Sequence, residues 1–349
     1  MREHILQFLK NEIDLNHIPG AIVQVMHKNQ IILQEAVGSR FVHLGNKEPM
    51  KLDAIFDLAS LTKVVATLPA VLSLMDKGEI RLDDPVTYFL PDFGTHGKEN
   101  IRLRHLLTHT SGLPAHRQYH KDQLNKEGIL DAINQEQLVA PINSEVLYTD
   151  LGFILLFRIV EKVTEQSFDT FLQEHFFQPL GMTETGFCPS FHQNRYAATE
   201  YVRALNNYKM GIVHDENSES MGGISGHAGL FSSLNDLTCF ARMMENDGVY
   251  NGKRFLSKAA LNLSRANFTA KSEEHRGLAW MRKSPCLASC GDYFSEESYG
   301  HTGFTGTSIW FDPTIKLNVI LLTNSVHYGR HNHMVRLRPR LHNMIRSYF

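Results

Sequence analysis

The chain has 349 residues, enough for one large domain or two intertwined ones around a well-buried core. Its 35 lysines and arginines nearly balance 37 aspartates and glutamates, a formal net charge of −2, so no electrostatic argument favours nucleic acid or an anionic membrane as a partner. The four cysteines, Cys188, Cys239, Cys286 and Cys290, form no paired metal-type CxxC units, and a chain of this length needs no disulfides for its core, so free thiols are expected even where Cys286 and Cys290 lie close in sequence.

The first sixteen residues mix charges with Ile5, Phe8, Leu9 and Ile13 at helical spacing, which predicts an amphipathic helix and not a signal peptide. Pro19-Gly20 breaks it, and residues 21–27 and 30–36 read as strands of a hairpin turned at Lys28-Asn29. Residues 60–77 read as a helix whose apolar residues (Val64, Val65, Leu68, Val71, Leu72, Met75) cover much of its surface, so it is expected to be mostly buried. Helical patterns follow at 151–163, 168–177 and 234–246, separated by Pro/Gly loops. Strand patterns return at 277–282, 305–311 and 318–323, before a final helix. Residues 330–340 hold four arginines and two histidines and read as an exposed basic helix face.

Strands at both ends with helices between predict an antiparallel sheet assembled from the two termini and flanked by helices. Residues 1–77 and 248–349 would form that α/β subdomain, residues 78–247 a mostly helical one, and the active site would lie between them. No run reaches the length of a membrane span, the longest apolar stretch lying near residues 153–157. The chain is therefore expected to be cytoplasmic, or exported if a leading segment has been removed; oligomeric state is open.

Ser60-Leu61-Thr62-Lys63 is the one Ser-x-x-Lys in the chain. Residues three apart share a helix face, which sets the lysine amine beside the serine hydroxyl. A serine hydroxyl becomes a useful nucleophile only when a neighbouring base takes its proton. The helix start also turns free N–H groups and the positive dipole end toward Ser60. Alone the motif is weak, because a helix-capping serine followed by a solvated lysine has the same spelling. Two further elements change this: Tyr148-Thr149-Asp150 is the one Tyr-x-Asp or Tyr-x-Asn, and His301-Thr302-Gly303 stands just before a strand-like run.

This order resembles the Ser-x-x-Lys, Ser-Asp-Asn and Lys-Thr-Gly series of penicillin-binding proteins and β-lactamases, with variant second and third elements. It is most similar to the group of class C β-lactamases, D-alanyl-D-alanine carboxypeptidases and family VIII esterases. The likeness extends to residues 82–86 (LDDPV), 88–91 (YFLP), 103–114 (LRHLLTHTSGLP), 179–183 (PLGMT) and 225–240. It implies a β-lactamase/transpeptidase-like fold and acyl transfer without metal or cofactor. By the same resemblance Ser60 attacks a carbonyl, and Tyr148 exchanges protons with it as a phenolate favoured by Lys63. That demands a fall from the ordinary tyrosine pKa of ~10. The backbone N–H groups of Ser60 and Phe304 would form an oxyanion hole, and Thr302 and Gly303 a strand edge for a peptide-like substrate.

Two departures matter. Asp150 stands where an uncharged Asn is common; a carboxylate would hold Lys63 protonated and cannot donate to a substrate carbonyl. His301 replaces a permanent cation by a titratable one, so recognition of a carboxylate is expected to be weaker or pH-dependent. His116 falls where the group often has a substrate-contacting Gln. No His-Glu-x-x-His, nucleophile elbow, P-loop or dinucleotide fingerprint occurs; His116 with His120 lacks a third metal ligand, and Ser111 in His109-Thr110-Ser111-Gly112 reads as part of a structural turn. The expected function is a serine hydrolase acting on a small ester, a D-amino-acid peptide or a β-lactam. The alternative is a silent relative that binds peptidoglycan fragments or a partner protein.

Overall fold

In the computed structural model, which describes residues 1–349, the first strand of the main sheet (β1, Gly20–His27) is buried along both faces. Side chains alternate along a strand, so burial on both sides requires a packed layer on each. Ile22 and Met26 enter a core of 63 buried residues built mainly by helices. Ala21, Val23 and Val25 enter a second core of 18, with Ile5, Phe8 and Leu9 of the N-terminal helix (α1, Arg2–Asp14) and Leu337, Leu341 and Ile345 of the C-terminal helix (α5, His333–Arg346).

The sheet has seven strands: β1, β2 (Gln30–His43), β3 (Asn46–Pro49), β4 (Met281–Arg282), β5 (Tyr299–Thr302), β6 (Ser308–Asp312) and β7 (Leu317–Thr323). Their order is β4-β5-β6-β7-β1-β2-β3, with every neighbouring pair antiparallel. The two ends of the chain meet in the middle, where β1 pairs with β7 from Ala21↔Thr323 to His27↔Leu317. The stretch between β3 and β4 carries helices and short strands of two or three residues joined by turns and loops; α2 (Leu68–Asp76), α3 (Leu151–Thr164) and α4 (Leu234–Glu245) supply much of the larger core.

Several expectations need correction. Strand β2 continues past residue 36 to His43, because Gly38 does not end it: a Cβ there would lie 2.5 Å from Pro19 O, so the glycine lets two backbones approach within a bent strand. Only Met281–Arg282 of residues 277–282 pair in the sheet; Gly277 N–H donates to Trp280 O at 3.0 Å, closing a tight turn. Strand β5 lies outside the strand patterns of the sequence, although the resemblance implies a strand edge at Thr302 and Gly303; His301 and Thr302 belong to it and Gly303 follows it, while the segment expected to start the next strand at residue 305 is still in the β5–β6 turn. The helical run Ala59–Asp76 has a mean hydropathy of 1.3 and the length of a membrane span, contrary to expectation; 78% of it is buried inside the protein, which accounts for its apolar surface. It opens with a 3₁₀ turn and a widened π-type turn before α2. All four cysteines are free thiols.

Residues 330–340 are not a uniformly exposed basic face. Arg330 pairs with Glu200 and Glu216, Arg340 pairs with Glu12 at 2.8 Å, and Arg338 is buried.

Candidate active site

The residue before the serine carries strain. Ala59 has φ 46°, a left-handed conformation that costs a non-glycine residue on the order of 1 kcal/mol. Its N–H donates to Asp57 Oδ1 at 2.8 Å, while Asp57 Oδ2 accepts from the His214 N–H at 2.6 Å. Asp57 is buried, which pushes its pKa up, while those two backbone donors oppose the rise. Thr62 Oγ1 closes the turn on Ala59 O at 2.7 Å.

One turn later Lys63 is fully buried, and its three N–H groups are all used. They donate to Ser60 Oγ at 3.0 Å, Asp150 Oδ1 at 2.7 Å and the His227 carbonyl at 3.1 Å. Burial alone would lower the lysine pKa, but the Asp150 carboxylate, with Tyr148, outweighs it and the pKa is raised. Burial would likewise raise Asp150, but Lys63, His116 and His227 hold it well below the usual carboxylate range. Both shifts favour the ionic pair, and an ammonium that already donates to Ser60 cannot also take its proton.

Asp150 sits at the start of α3, and Thr149 Oγ1 anchors that start by donating to Pro114 O at 2.6 Å. This directs Tyr148 over the lysine, with Lys63 Nζ 4.9 Å from the ring centroid. Tyr148 lines a cavity of about 300 Å³ together with Ser60. Behind it, the buried His109 ring lies 4.5 Å from the Tyr148 ring. His109 Nδ1 accepts the Thr149 N–H at 3.1 Å, which leaves its proton on Nε2. Burial, then the charges of Arg276 and Lys63, push its pKa well below the ordinary value. Sequence reasoning passed over His109 because it belongs to the turn around Ser111; that turn is structural as expected, for a Cβ on Gly112 would collide with Ala140 O.

The third element reaches Ser60 through side chains of the β5–β6 turn. Thr305 Oγ1 donates to Asp57 O at 2.8 Å and Thr307 Oγ1 to Leu58 O at 3.1 Å. A Cβ on Gly303 would collide with Leu58 O. From α5, Arg338 Nη2 donates to Gly303 O at 2.8 Å and Thr307 O at 2.9 Å. These bonds dock the turn onto the residues preceding Ser60, so that Gly303, Phe304 and Ser60 line one cavity. Phe304 is exposed, its ring 5.8 Å from that of His214 between centroids.

His301 and Thr302 also line this cavity, but the expected titratable cation is not there. His301 is 1% exposed, and burial, followed by the charges of Arg276 and Lys63, drives its pKa well down. Its Nδ1 donates to Thr302 O at 2.9 Å, and the ring is neutral. His116 is half-exposed and not among the lining residues; its Nδ1 lies 3.9 Å from Asp150 Oδ2, and that carboxylate raises its pKa. The lining residues not expected from the sequence include two buried arginines, Arg276 and Arg338. Arg276 precedes the turn misread as a strand, and Arg338 was hidden in a helix read as exposed. Asp150, Asp215 and His227 bring three possible metal ligands within 4.8 Å of one another. Lys63 already occupies Asp150, and His227 Nε2 donates to Asp215 Oδ1 at 2.9 Å, so the cluster is satisfied by hydrogen bonds within the chain.

A family model described as Beta-lactamase matches residues 7–341. A relative from Escherichia coli (strain K12) described as "Putative D-alanyl-D-alanine carboxypeptidase" is 31% identical, covering 92% of this chain and 81% of its own. An N-acetylmuramyl-L-alanine amidase from Bacillus subtilis (strain 168) is 31% identical over 88% of this chain and 78% of its own. Among solved structures, the fold is similar to EstCE1, a hydrolase with promiscuous acyltransferase activity (TM-score 0.78, 22% identity, 97% of this chain and 98% of that one). It is also similar to a class C β-lactamase from Rhodobacter sphaeroides (TM-score 0.77, 17% identity, 99% of both chains).

Proposed function

The chain belongs to the β-lactamase family, and from that premise we propose that it cleaves an ester or amide through an acyl-enzyme formed on Ser60. The observation that carries this reading is the Lys63 ammonium held between Ser60 Oγ at 3.0 Å and Asp150 Oδ1 at 2.7 Å, directly beneath a cavity that Tyr148 shares.

Because Lys63 is a donor, Tyr148 acts as the base. Its phenolate takes the Ser60 proton as Oγ bonds to the substrate carbonyl carbon, and the carbonyl oxygen becomes an oxyanion facing the N–H groups of Ser60 and Phe304. Collapse breaks the bond to the leaving oxygen or nitrogen, which takes the proton from Tyr148. A water then repeats the sequence: it gives a proton to Tyr148, attacks the acyl carbon, and releases the acid as Ser60 recovers its proton. Lys63 beside the ring stabilises negative charge on the tyrosine oxygen throughout. The names of the relatives support a cell-wall-type peptide amide, and the esterase-like fold supports a small ester. Asp150 accepts hydrogen bonds only, which disfavours a β-lactam whose carbonyl seeks a donor there.

Intact mass after incubation with a fluorophosphonate and, separately, a penicillin tests the reading. The expected result is a phosphonyl adduct on the wild type and none on Ser60→Ala. A penicillin adduct as well would point to peptidoglycan-type substrates. Identical masses for both proteins with both reagents would return the chain to the silent, ligand-binding alternative.

A further inference from the structure

Apart from the catalytic cavity the fold holds a second one, of about 280 Å³, with which it shares no lining residue. Arg102, Arg104 and His105 all line it, from the segment that runs into the structural turn at Ser111. Asp83 is the one carboxylate among its lining residues, and Asp83 Oδ2 is already claimed twice, by Arg104 at 2.8 Å and by Arg81 at 3.6 Å. Arg102 donates to the main-chain carbonyl of Asp83, a partner that brings no countercharge. Positive charge is thus in excess at the cavity wall.

Donors are in excess as well. Arg104 Nε is buried without a partner, a costly arrangement unless something supplies an acceptor. One such nitrogen does not make a site, since Arg242 and Arg265 have one too; here it stands among other donors. His105 Nδ1 accepts the Arg102 N–H at 3.1 Å, which leaves the ring proton on Nε2. Burial, then the charges of Arg104 and Arg102, hold the His105 pKa below its ordinary value, so both guanidinium charges are felt at a neutral ring. The backbone beneath these side chains is held by bonds of its own. Thr108 Oγ1 donates to Arg104 O at 2.8 Å, Thr110 N–H to His105 O at 2.9 Å, and Asn143 N–H to Thr110 O at 2.8 Å.

Two guanidiniums and an imidazole N–H at one cavity match a tetrahedral oxyanion, which takes hydrogen bonds from several directions at once. The side chain of Asn143 lines the same cavity and brings an amide donor. A neighbouring cavity of about 420 Å³ shares Thr110, Asn143 and Phe268 with it, which leaves room beside the anion for the group that carries it. We infer that Arg102, Arg104 and His105 bind a phosphoryl group, at a site separate from the one that holds Ser60. The site stands whether or not Ser60 is acylated.

Titration calorimetry of the full chain with inorganic phosphate tests it, in about 0.15 M salt so that exposed charges are screened. The wild type is expected to bind with a Kd on the order of 1 mM or tighter. Arg102→Gln should weaken binding about tenfold or more, as for loss of a charged hydrogen bond. Asn143→Ala leaves every charge in place and should weaken it about threefold, as for a neutral hydrogen bond. Arg276→Gln, in the catalytic cavity, should bind as the wild type does; circular dichroism verifies that each variant folds. Phenyl phosphate, titrated in parallel, separates the sources of the anion. A tighter Kd whose gain is lost in Phe268→Ala assigns the site to a phosphate monoester, and an equal or weaker one assigns it to the free anion. The inference is overturned if the wild type binds neither probe up to about 10 mM. It is overturned equally if Arg102→Gln and Asn143→Ala bind as the wild type does, or if Arg276→Gln carries the loss, which would put the anion in the catalytic cavity.

Discussion

Lys63 and Asp150 set one another's charge, and the consequences can be read in pH. Lys63 has a folded-state pKa raised above its ordinary ~10.4, so its contribution to stability is fully present below that value and is lost as pH climbs through the folded one. Asp150 is depressed, so its contribution is present above ~3.9 and disappears as pH falls through the lowered value. Asp150→Asn removes the charge but keeps an acceptor for the ammonium. Burial then dominates at Lys63 and its pKa drops below the ordinary range. The variant is expected to lose about 3 kcal/mol near neutral pH, the low end for breaking a buried pair. Its deficit in Tm should narrow toward pH ~10, because a lysine that is neutral in the fold carries no penalty where the unfolded lysine is neutral too. The alkaline limb of hydrolysis should move to lower pH in the same variant. An alkaline limb that stays in place would remove Lys63 from the catalytic titration.

Between elements, the β5–β6 turn is the joint that relates the third motif to Ser60. It is pinned by Thr305 and Thr307 from within and by Arg338 from α5, and Gly303 is where it touches the backbone of Leu58. Gly303→Ala would push the turn off that backbone, because neither Leu58 O nor the docked turn is free to yield. If Phe304 N–H is an oxyanion donor, kcat for ester hydrolysis should fall by roughly 10²–10³ with a smaller change in KM. A kcat within a few-fold of wild type would show that the donor lies elsewhere. The same joint explains why residues 330–340 are misjudged in isolation: Arg338 differs from its neighbours only in facing the turn once α5 has packed on the sheet.

Across the whole molecule, the sheet is completed only when β1 meets β7, so contacts at the centre of the structure join the two ends of the chain. Such long-range pairing slows folding, since loop closure comes before any gain from the contacts. The ends also lie side by side: His4 Nδ1 is 2.6 Å from the Tyr348 hydroxyl, and the rings of His27 and Phe349 are 4.6 Å apart. A circular permutant with its ends joined by a short glycine linker, and new ends at the fully exposed Leu287, should therefore keep phosphonylation of Ser60. Loss of labelling in a permutant that folds would mean that the order of synthesis, and not the pairing alone, builds the site.

The sequence by itself singled out Ser60, Lys63, Tyr148 and Asp150, which the fold brings together, because they belong to motifs whose spacing is local and whose chemistry is carried by residue type. It determined the sheet built from both ends as well, since residues 21–27 and 318–323 are nearly continuous apolar runs, the pattern of strands buried on both faces. Strand β5 escaped because Tyr299-Gly300-His301-Thr302 has no apolar alternation; its pairing with β6 makes it a strand. The charge of His301 and the unpartnered Nε of Arg104 were decided by the tertiary structure alone. A histidine titrates near neutrality in water, and burial between Arg276 and Lys63 removes that option. An arginine is usually paired or solvated, and whether its nitrogens are left free depends on which side chains, from distant parts of the chain, pack around it.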